Sequence, residues 1–467
     1  MKHFFLTTIL ISTVLLAVCS CCNQTKTPAI NQIPVDTPAR PAGQTDVVGL
    51  ACDPIDTVRI GFIGLGDRGS EAVRRFTYQQ GVKIKALCDL HQQRVDSCQK
   101  LLTAAALPAA TSYSGSEDAW KQLCERDDID LVYIATDWLS HTPMMIYAME
   151  HGKHVACEVP AVLSMDEIWQ VINTAERTRK HCMQLENCVY DFFEITTLNM
   201  AQQGVFGDIL HVEGAYIHCL EEVWAHYNDN WRMDYNRKHR GDIYPTHGLG
   251  PACQLLDIHR GDKMNYLVSV DVAPVSLPDY LKSKNEDATG FQNGEHTITL
   301  IRTEKGKTIQ IQHNVASPRP YNRMYQLTGT KGFANKYPLE GYALSSADLP
   351  DDIKSKYNNL TPHEYMPEAA KEMLMASYKD PIVAELESKA KEVGGHGGMD
   401  FIMDYRLIYC LRNGLPLDMD VYDLAEWCSL IPLTAVSLEN GSMPVQIPDF
   451  TRGAWDKVKG YRHAFAH

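Results

Sequence analysis

From Val58 onward, short apolar runs alternate with stretches that carry apolar residues at helical spacing. Val58–Ile63 predicts a strand, and a glycine turn leads into a helix over about Ser70–Gln79. Val82–Cys88 predicts a second strand, closed by Asp89, with a helix over His91–Ala106. Asp130–Ala135 and Lys153–Cys157 read as two more strands, separated by a helix over Thr142–His151. Ser164 with Glu167 three residues on reads as a capping box that opens a helix over Met165–Lys180, and Cys182–Leu185 as a last strand. Strand and helix alternating at this spacing predict a doubly wound parallel sheet with crossover helices.

After Asn187 the texture changes. Longer alternating runs at Ile209–His218, Tyr266–Val272, His296–Arg302, Thr308–Asn314 and Arg323–Thr328 predict a mainly antiparallel sheet, with hairpin turns at Thr303–Gly306 and Gly329–Gly332. Helices are expected over Ala369–Val393, Met399–Asn413 and Val421–Asn440. The fold class is therefore α/β, a parallel N-terminal sheet followed by a C-terminal α+β domain. Boundaries are expected at 57–187 and 188–467.

The first 56 residues do not share this texture. Lys2 and His3 precede an apolar run, Phe4–Val18, which is too short for an ordinary membrane span and fits a secretory signal. The run ends in Val18-Cys-Ser-Cys-Cys22, which resembles a bacterial lipobox. Cys21, preceded by Ser20, is the expected lipidated residue, with Cys19 and Cys22 as alternatives. Residues 1–22 are thus read as a lipoprotein signal and 23–56, rich in Thr, Pro and Ala, as a flexible tether. The expected location is a membrane surface, facing the periplasm or the cell exterior.

Composition narrows the function. The 467 residues are 45% hydrophobic and 22% charged, as in a soluble globular protein, and the formal net charge of -14 argues against a nucleic-acid partner. Of the 14 cysteines, those from Cys52 to Cys428 are scattered singly, without metal spacing, and read mostly as buried thiols. No His/Asp/Glu cluster shows ligand spacing either, so no metal is expected.

Gly64-Leu-Gly-Asp-Arg-Gly69 is a GxGxxG sequence between a predicted strand and a predicted helix, and Asp89 ends the next strand. In that context it marks a Rossmann-type dinucleotide site: Gly64, Gly66 and Gly69 allow the tight turn and backbone approach, with Asp67 and Arg68 beside them. Asp89 would accept the ribose hydroxyls and repel a 2′-phosphate, so NAD is expected rather than NADP. Trp138, Leu139, Ser140 and His141, and then Glu158 and Val159, follow the ends of later strands, where the far half of a dinucleotide lies. Trp138 reads equally as packing.

The segment Arg240-Gly-Asp-Ile-Tyr-Pro-Thr-His-Gly-Leu-Gly-Pro251 carries the candidate chemistry. Tyr244 stands three residues before His247, and Thr246 reads as an N-cap that places His247 in a helix's first turn. A neutral imidazole beside a phenol suits proton transfer on a sugar or carbonyl. The competing reading is a satisfied structural histidine at the start of a core helix.

An acidic-X-Pro turn after the strand at Lys153–Cys157 resembles the Gfo/Idh/MocA oxidoreductases, whose dehydrogenases mostly carry Glu-Lys-Pro there. This chain has Glu158-Val159-Pro160, and valine cannot replace the lysine's titrating group. Glu-Val-Pro together with Tyr-Pro-Thr-His-Gly-Leu-Gly-Pro resembles glycoside hydrolase family 109. So do Leu185-Glu-Asn187, Gly214-Ala-Tyr-Ile-His218, Trp231-Arg232, Arg319-Pro-Tyr321, Gly394-Gly-His-Gly-Gly-Met-Asp400 and Pro448-Asp-Phe450, in that order along the chain. The resemblance implies an NAD-dependent α-N-acetylgalactosaminidase. Its cofactor contacts would be Asp67, Arg68, Asp89, Trp138–His141, Glu158, Val159 and Asn187. Its sugar contacts would be Tyr216, Arg232, Tyr244, Pro245, Thr246, His247 and Tyr321. His247 and Tyr216 are the expected principal proton movers, with Tyr244 and Tyr321 as hydrogen-bonding groups, and His396 is read first as part of a tight turn. The implied route is transient oxidation, elimination, hydration and re-reduction, with no net redox. The family's usual Asn and Thr-Pro-Trp-Glu-Trp are here Asp67 and Thr136-Asp-Trp-Leu-Ser140, and the stretch from Tyr216 to Tyr244 is shorter. The partner implied is a glycan bearing N-acetylgalactosamine; a homo-oligomer is left open. The alternatives are an NAD-dependent sugar or inositol dehydrogenase and a non-catalytic glycan-binding lipoprotein.

Overall fold

Two sheets and the helices around them build the protein. The computed structural model describes residues 30–220, 224, 231–461 and 463. The expected signal sequence, Cys21 and the start of the expected tether lie outside those residues. No described helix is long and apolar enough to cross a membrane.

The first sheet has six parallel strands in the order β3-β2-β1-β4-β5-β6. These are β1 (Val58–Ile63), β2 (Val82–Cys88), β3 (Thr111–Tyr113), β4 (Leu131–Ile134), β5 (His154–Cys157) and β6 (Cys182–Gln184). Strands β4 and β5 are buried at every position, as expected for strands covered by helices on both faces. The predicted capping box is present: Ser164 accepts from the Glu167 amide, and the helix runs Met165–Thr178. Strand β3 was not expected; three residues at a sheet edge, two of them exposed, leave no apolar pattern to read.

The second sheet has eight strands, β7 (Ile209–Ile217), β8 (Met264–Asp271), β9 (Thr297–Thr303), β10 (Thr308–Asn314), β11 (Gln326–Gly329), β12 (Gly332–Asn335), β13 (Gly341–Leu344) and β14 (Val445–Gln446). Their order is β13-β12-β11-β7-β10-β9-β8-β14, antiparallel except where β10 lies parallel to β7. The buried face of this sheet meets helices Thr246–Leu255 and Val421–Glu439. The single helix expected over Ala369–Val393 is two, Glu368–Ser377 and Pro381–Val393. Pro381 has no amide hydrogen to continue the first helix, and the Asp380 carboxylate caps the second through the Ile382 amide.

Over residues 32–56 the expected tether is instead packed against the fold. Gln32 onward belongs to one compact unit that extends to the C-terminus and holds both sheets. Ile33 pairs with Val445, Arg40 is bound to Glu176 at 3.0 Å, and Val47 is buried beneath its bond to the Tyr422 hydroxyl. The polar composition hid isolated apolar residues (Ile33, Val35, Val47, Leu50, Ile55) that each pack against the core separately. The eleven cysteines from Cys52 to Cys428 are free, and all but Cys52 and Cys219 are buried.

Candidate active site

The glycine loop after β1 is built for close backbone approach. Gly64 has φ +86°, and a Cβ there would stand 2.5 Å from the Ala135 carbonyl oxygen. A Cβ on Gly69 would overlap the Gly64 oxygen, whereas one on Gly66 would meet nothing within 4 Å. The open space lies at the N-terminus of helix Asp67–Phe76, whose free amides suit a phosphate. Asp89 follows β2; its Oδ2 accepts the Leu65 amide at 2.7 Å and its Oδ1 the His91 amide at 2.9 Å, so the carboxylate is fixed beside the loop. These residues fit a dinucleotide.

From this loop a cleft of about 520 Å³ runs toward the second sheet. Arg68, Trp138, His141, Glu158, Val159, Asn187, Tyr216, Arg232, Tyr244, His247 and Tyr321, all expected from sequence, line it together. Pro245 and Thr246 do not; both are buried behind His247. Thr246 is not the N-cap, which falls on Pro245, but His247 does lie in the helix's first turn. Leu139 is 65% exposed, and the Ser140 hydroxyl donates to the Asp137 carboxylate at 2.7 Å. Neither lines the cleft.

Strand β7 and helix Thr246–Leu255 approach unusually closely. A Cβ on Gly214 would lie 2.3 Å from the Gly248 oxygen, and one on Gly248 would lie 2.4 Å from the Ala215 nitrogen. The contact brings the Tyr216 ring 5.4 Å from His247 and 4.5 Å from Tyr244. Tyr244 in turn lies 5.0 Å from His247, edge to face. The Arg232 guanidinium sits 4.9 Å from the Tyr244 ring and 5.1 Å from that of Trp138. Its Nη2 is 3.4 Å from the Tyr216 hydroxyl. The same hydroxyl is 2.9 Å from His218 Nδ1. Burial, with the charge of Arg232 adding to it, pushes the His218 imidazole down to about 4, so it is neutral at physiological pH. Burial raises the Tyr244 phenol well above its usual range.

Several groups are committed elsewhere. His141 spans two backbone carbonyls, Pro160 at 2.9 Å and Thr136 at 3.1 Å, and so ties together the loops after β4 and β5. Trp138 packs edge to face with Trp231 and Tyr235. Glu158 is ion-paired to Arg68 at 2.7 Å. Arg68 also meets Asp400 at 2.8 Å, and Asp400 accepts from Asn187 at 2.6 Å and stands 2.8 Å from His396 Nδ1. Asp400 thus links the dinucleotide loop, the end of the parallel sheet and the glycine turn that carries His396 into the cleft.

Asp400 and Glu186 were not expected from sequence, although both stand inside segments that carry the family resemblance. Glu186 is wholly buried, with Oε1 2.7 Å and Oε2 2.9 Å from His247 Nδ1. Burial alone would raise its pKa, but facing His247 outweighs that and holds the carboxyl below its ordinary range. Arg323 and Tyr337, also on the cleft wall, carried no sequence signal. The fold also assembles a donor set that spacing could not show: atoms of Glu186, Cys188 and His247 lie within 4.8 Å of one another.

A parallel sheet in this strand order, a glycine loop fitted to a dinucleotide and a cleft of phenols and imidazoles opening toward a second sheet define a protein of the NAD-binding oxidoreductase type. The sequence comparisons agree. Residues 58–185 match the model "Oxidoreductase family, NAD-binding Rossmann fold", and residues 190–457 match "Glycosyl hydrolase 109, C-terminal domain". The chain belongs to glycosyl hydrolase family 109. It is 65% identical to "Glycosyl hydrolase family 109 protein 1" of Bacteroides fragilis over 97% of each chain. It is 61% identical to the protein of the same name in Bacteroides thetaiotaomicron over the full length of both. Among solved structures, levoglucosan dehydrogenase in complex with NADH and levoglucosan aligns with TM-score 0.59 at 17% identity over 84% of this chain and all of that one. Apo scyllo-inositol dehydrogenase from Lactobacillus casei aligns with TM-score 0.59 at 13% identity over 84% of this chain and 99% of its own. At these identities the likeness is one of fold.

Proposed function

We propose that this chain is an NAD-dependent glycosidase that removes terminal N-acetylgalactosamine, α-linked, from glycans at a membrane surface. The observation that carries the reading is the convergence of Tyr216, Tyr244, His247 and Tyr321 on one cleft that begins at the dinucleotide loop. A binding module has no need of so many proton-moving groups.

When bound, NAD supplies a reversible two-electron oxidation at carbon 3 of the sugar, and Gly64, Gly66, Gly69, Arg68 and Asp89 would hold it. The carboxylate of Asp89 favours NAD over NADP. His247 removes a proton and later returns one; the oxidised sugar is acidic at carbon 2, which makes elimination of the glycosidic oxygen feasible. Tyr216, held between Arg232 and His218, is the second proton mover. Tyr244 and Tyr321 hold sugar oxygens.

An ordinary two-carboxylate mechanism fits poorly. Among the described residues, Glu158 and Asp191 are the carboxylates that line the cleft, and each is bound to cations, Glu158 to Arg68 and Asp191 to Lys336 and Arg323. Dehydrogenase fold neighbours support a second reading, a sugar or inositol dehydrogenase, but Val159 occupies the position where that chemistry uses lysine.

Nitrophenyl α- and β-N-acetylgalactosaminides, with and without added NAD, separate these readings. The glycosidase releases nitrophenol without accumulating NADH, whereas the dehydrogenase accumulates NADH without release. Export and lipidation at Cys21 belong to the same proposal; a Cys21→Ala variant should leave the membrane fraction and fail to incorporate labelled palmitate.

A further inference from the structure

The residue behind His247 has no assigned part in this chemistry. Glu186 lies between β6 and the 3₁₀ turn Asn187–Tyr190 and is fully buried. Room for it comes from the opposing helix: a Cβ on Gly250 would stand 3.1 Å from Glu186 Cγ. The Cys188 amide donates to Oε1 at 3.0 Å, which fixes the carboxylate's orientation. Both carboxylate oxygens then face one nitrogen of His247, Nδ1, at 2.7 and 2.9 Å.

We propose that Glu186 is a positioning residue that sets the tautomer of His247, so that Nε2 faces the cleft as an acceptor. An ionised carboxylate has only acceptors, so the nitrogen it meets must carry the hydrogen. With Nδ1 protonated, neutral His247 keeps an unprotonated Nε2, the form a general base requires. When Nε2 takes a proton, the adjacent carboxylate stabilises the imidazolium across a short, buried hydrogen bond. The inference deepens the glycosidase reading and rests on it for the identity of the reaction, but the tautomer is a property of the resting protein.

Among the described residues, the titratable groups around His247 are Glu186 and Cys188 from the loop after β6, Tyr216 and His218 from β7 and the residue after it, and Tyr244 from the turn before its own helix. Arg232, Arg68 and Arg323 are cations that line the same cleft. None of these except Glu186 is a carboxylate within hydrogen-bond distance of the ring.

Two measurements test the role. In ¹⁵N-histidine NMR of the wild-type protein at neutral pH, the expected His247 spectrum shows a protonated Nδ1 and an unprotonated Nε2; the opposite tautomer overturns the proposal. In kinetics, Glu186→Gln is expected to lower kcat by about 10²–10⁴-fold with a smaller effect on KM. It is also expected to move the acid limb of the kcat/KM profile to lower pH, because the imidazolium loses its counter-charge. Glu186→Asp should retain the wild-type tautomer and recover part of the rate. Wild-type rate and pH limb in a folded Glu186→Gln variant overturn the positioning role. A wild-type protein that releases no sugar overturns the glycosidase reading instead, and the NMR result still decides the tautomer. The NMR experiment also stands if Glu186→Gln does not fold.

Discussion

The rings of Tyr216 and His247 meet edge to face at 5.4 Å because Gly214 and Gly248 let the strand that carries one press against the helix that carries the other. If these two side chains move the protons, each is indispensable to rate and neither to cofactor retention. His247→Asn and Tyr216→Phe are each expected to reduce kcat by about 10²–10⁴-fold. Affinity for NAD, followed by quenching of intrinsic fluorescence, should stay within a few-fold of wild type. A variant that keeps its rate removes that residue from the mechanism.

Asp89 supplies the second prediction. Its carboxylate is pinned by two backbone amides at the end of β2, so its charge is held at the edge of the dinucleotide loop. Asp89→Asn removes the charge and keeps an acceptor for one of those amides, turning an NH2 toward the other. NAD binding should weaken and NADP binding improve, with the ratio of the two dissociation constants falling by about tenfold or more, since one charge contact is worth on the order of 1–2 kcal/mol. An unchanged ratio would place the ribose elsewhere.

Asp242, two residues before Tyr244, gives a prediction about stability. It is fully buried, and its Oδ1 accepts the Tyr244 amide at 3.1 Å. Burial pushes its carboxyl up to about 7, against the pull of that amide. A folded-state pKa above the unfolded value of 3.8 means stability is fully present below about pH 4. It is lost as pH rises toward 7, at about 1.4 kcal/mol per unit for one proton, and changes no further above 7. Asp242→Asn removes that dependence. The Tm difference between variant and wild type should therefore grow in the variant's favour from pH 4 to 7 and then level off. A constant difference across that range contradicts the account.

Much of the fold and of the site is legible in the sequence. Strand β1 and the helix Val421–Glu439 follow directly from apolar runs, and Ser164 with Glu167 marks a helix start by local hydrogen bonding alone. Residues that act by one side chain in a recognisable turn, such as His247 and Tyr244, were equally visible. What stayed hidden depends on long-range contact. Glu186 reads as one more acid until the fold sets it against a residue 61 positions away. Asp400 is separated from Arg68 by 332 positions, and Arg323 and Tyr337 reach the cleft only through the register of the second sheet. Residues 32–56 misled for a different reason: a segment that packs by single apolar contacts has no periodicity to detect.

The donor set of Glu186, Cys188 and His247 yields a further prediction. A carboxylate, a thiol and an imidazole whose donor atoms lie within 4.8 Å of one another suit Zn²⁺, and a zinc ion there would replace the Glu186–His247 contact on which the proposed base depends. Added Zn²⁺ should inhibit, EDTA should restore the rate, and EDTA alone should leave the wild-type rate unchanged. Cys188→Ser should be less sensitive. If it is inhibited to the same extent as wild type, the ion binds elsewhere.

The central claim is that the glycosidic bond breaks by elimination, after carbon 2 of the sugar has lost its proton to a group on this chain. Hydrolysis in D₂O with the N-acetylgalactosaminide substrate, followed by mass spectrometry and proton NMR of the released sugar, tests it directly. The account predicts one non-exchangeable deuterium at carbon 2 and no accumulation of NADH. Sugar released at full rate with hydrogen retained at carbon 2 would contradict it.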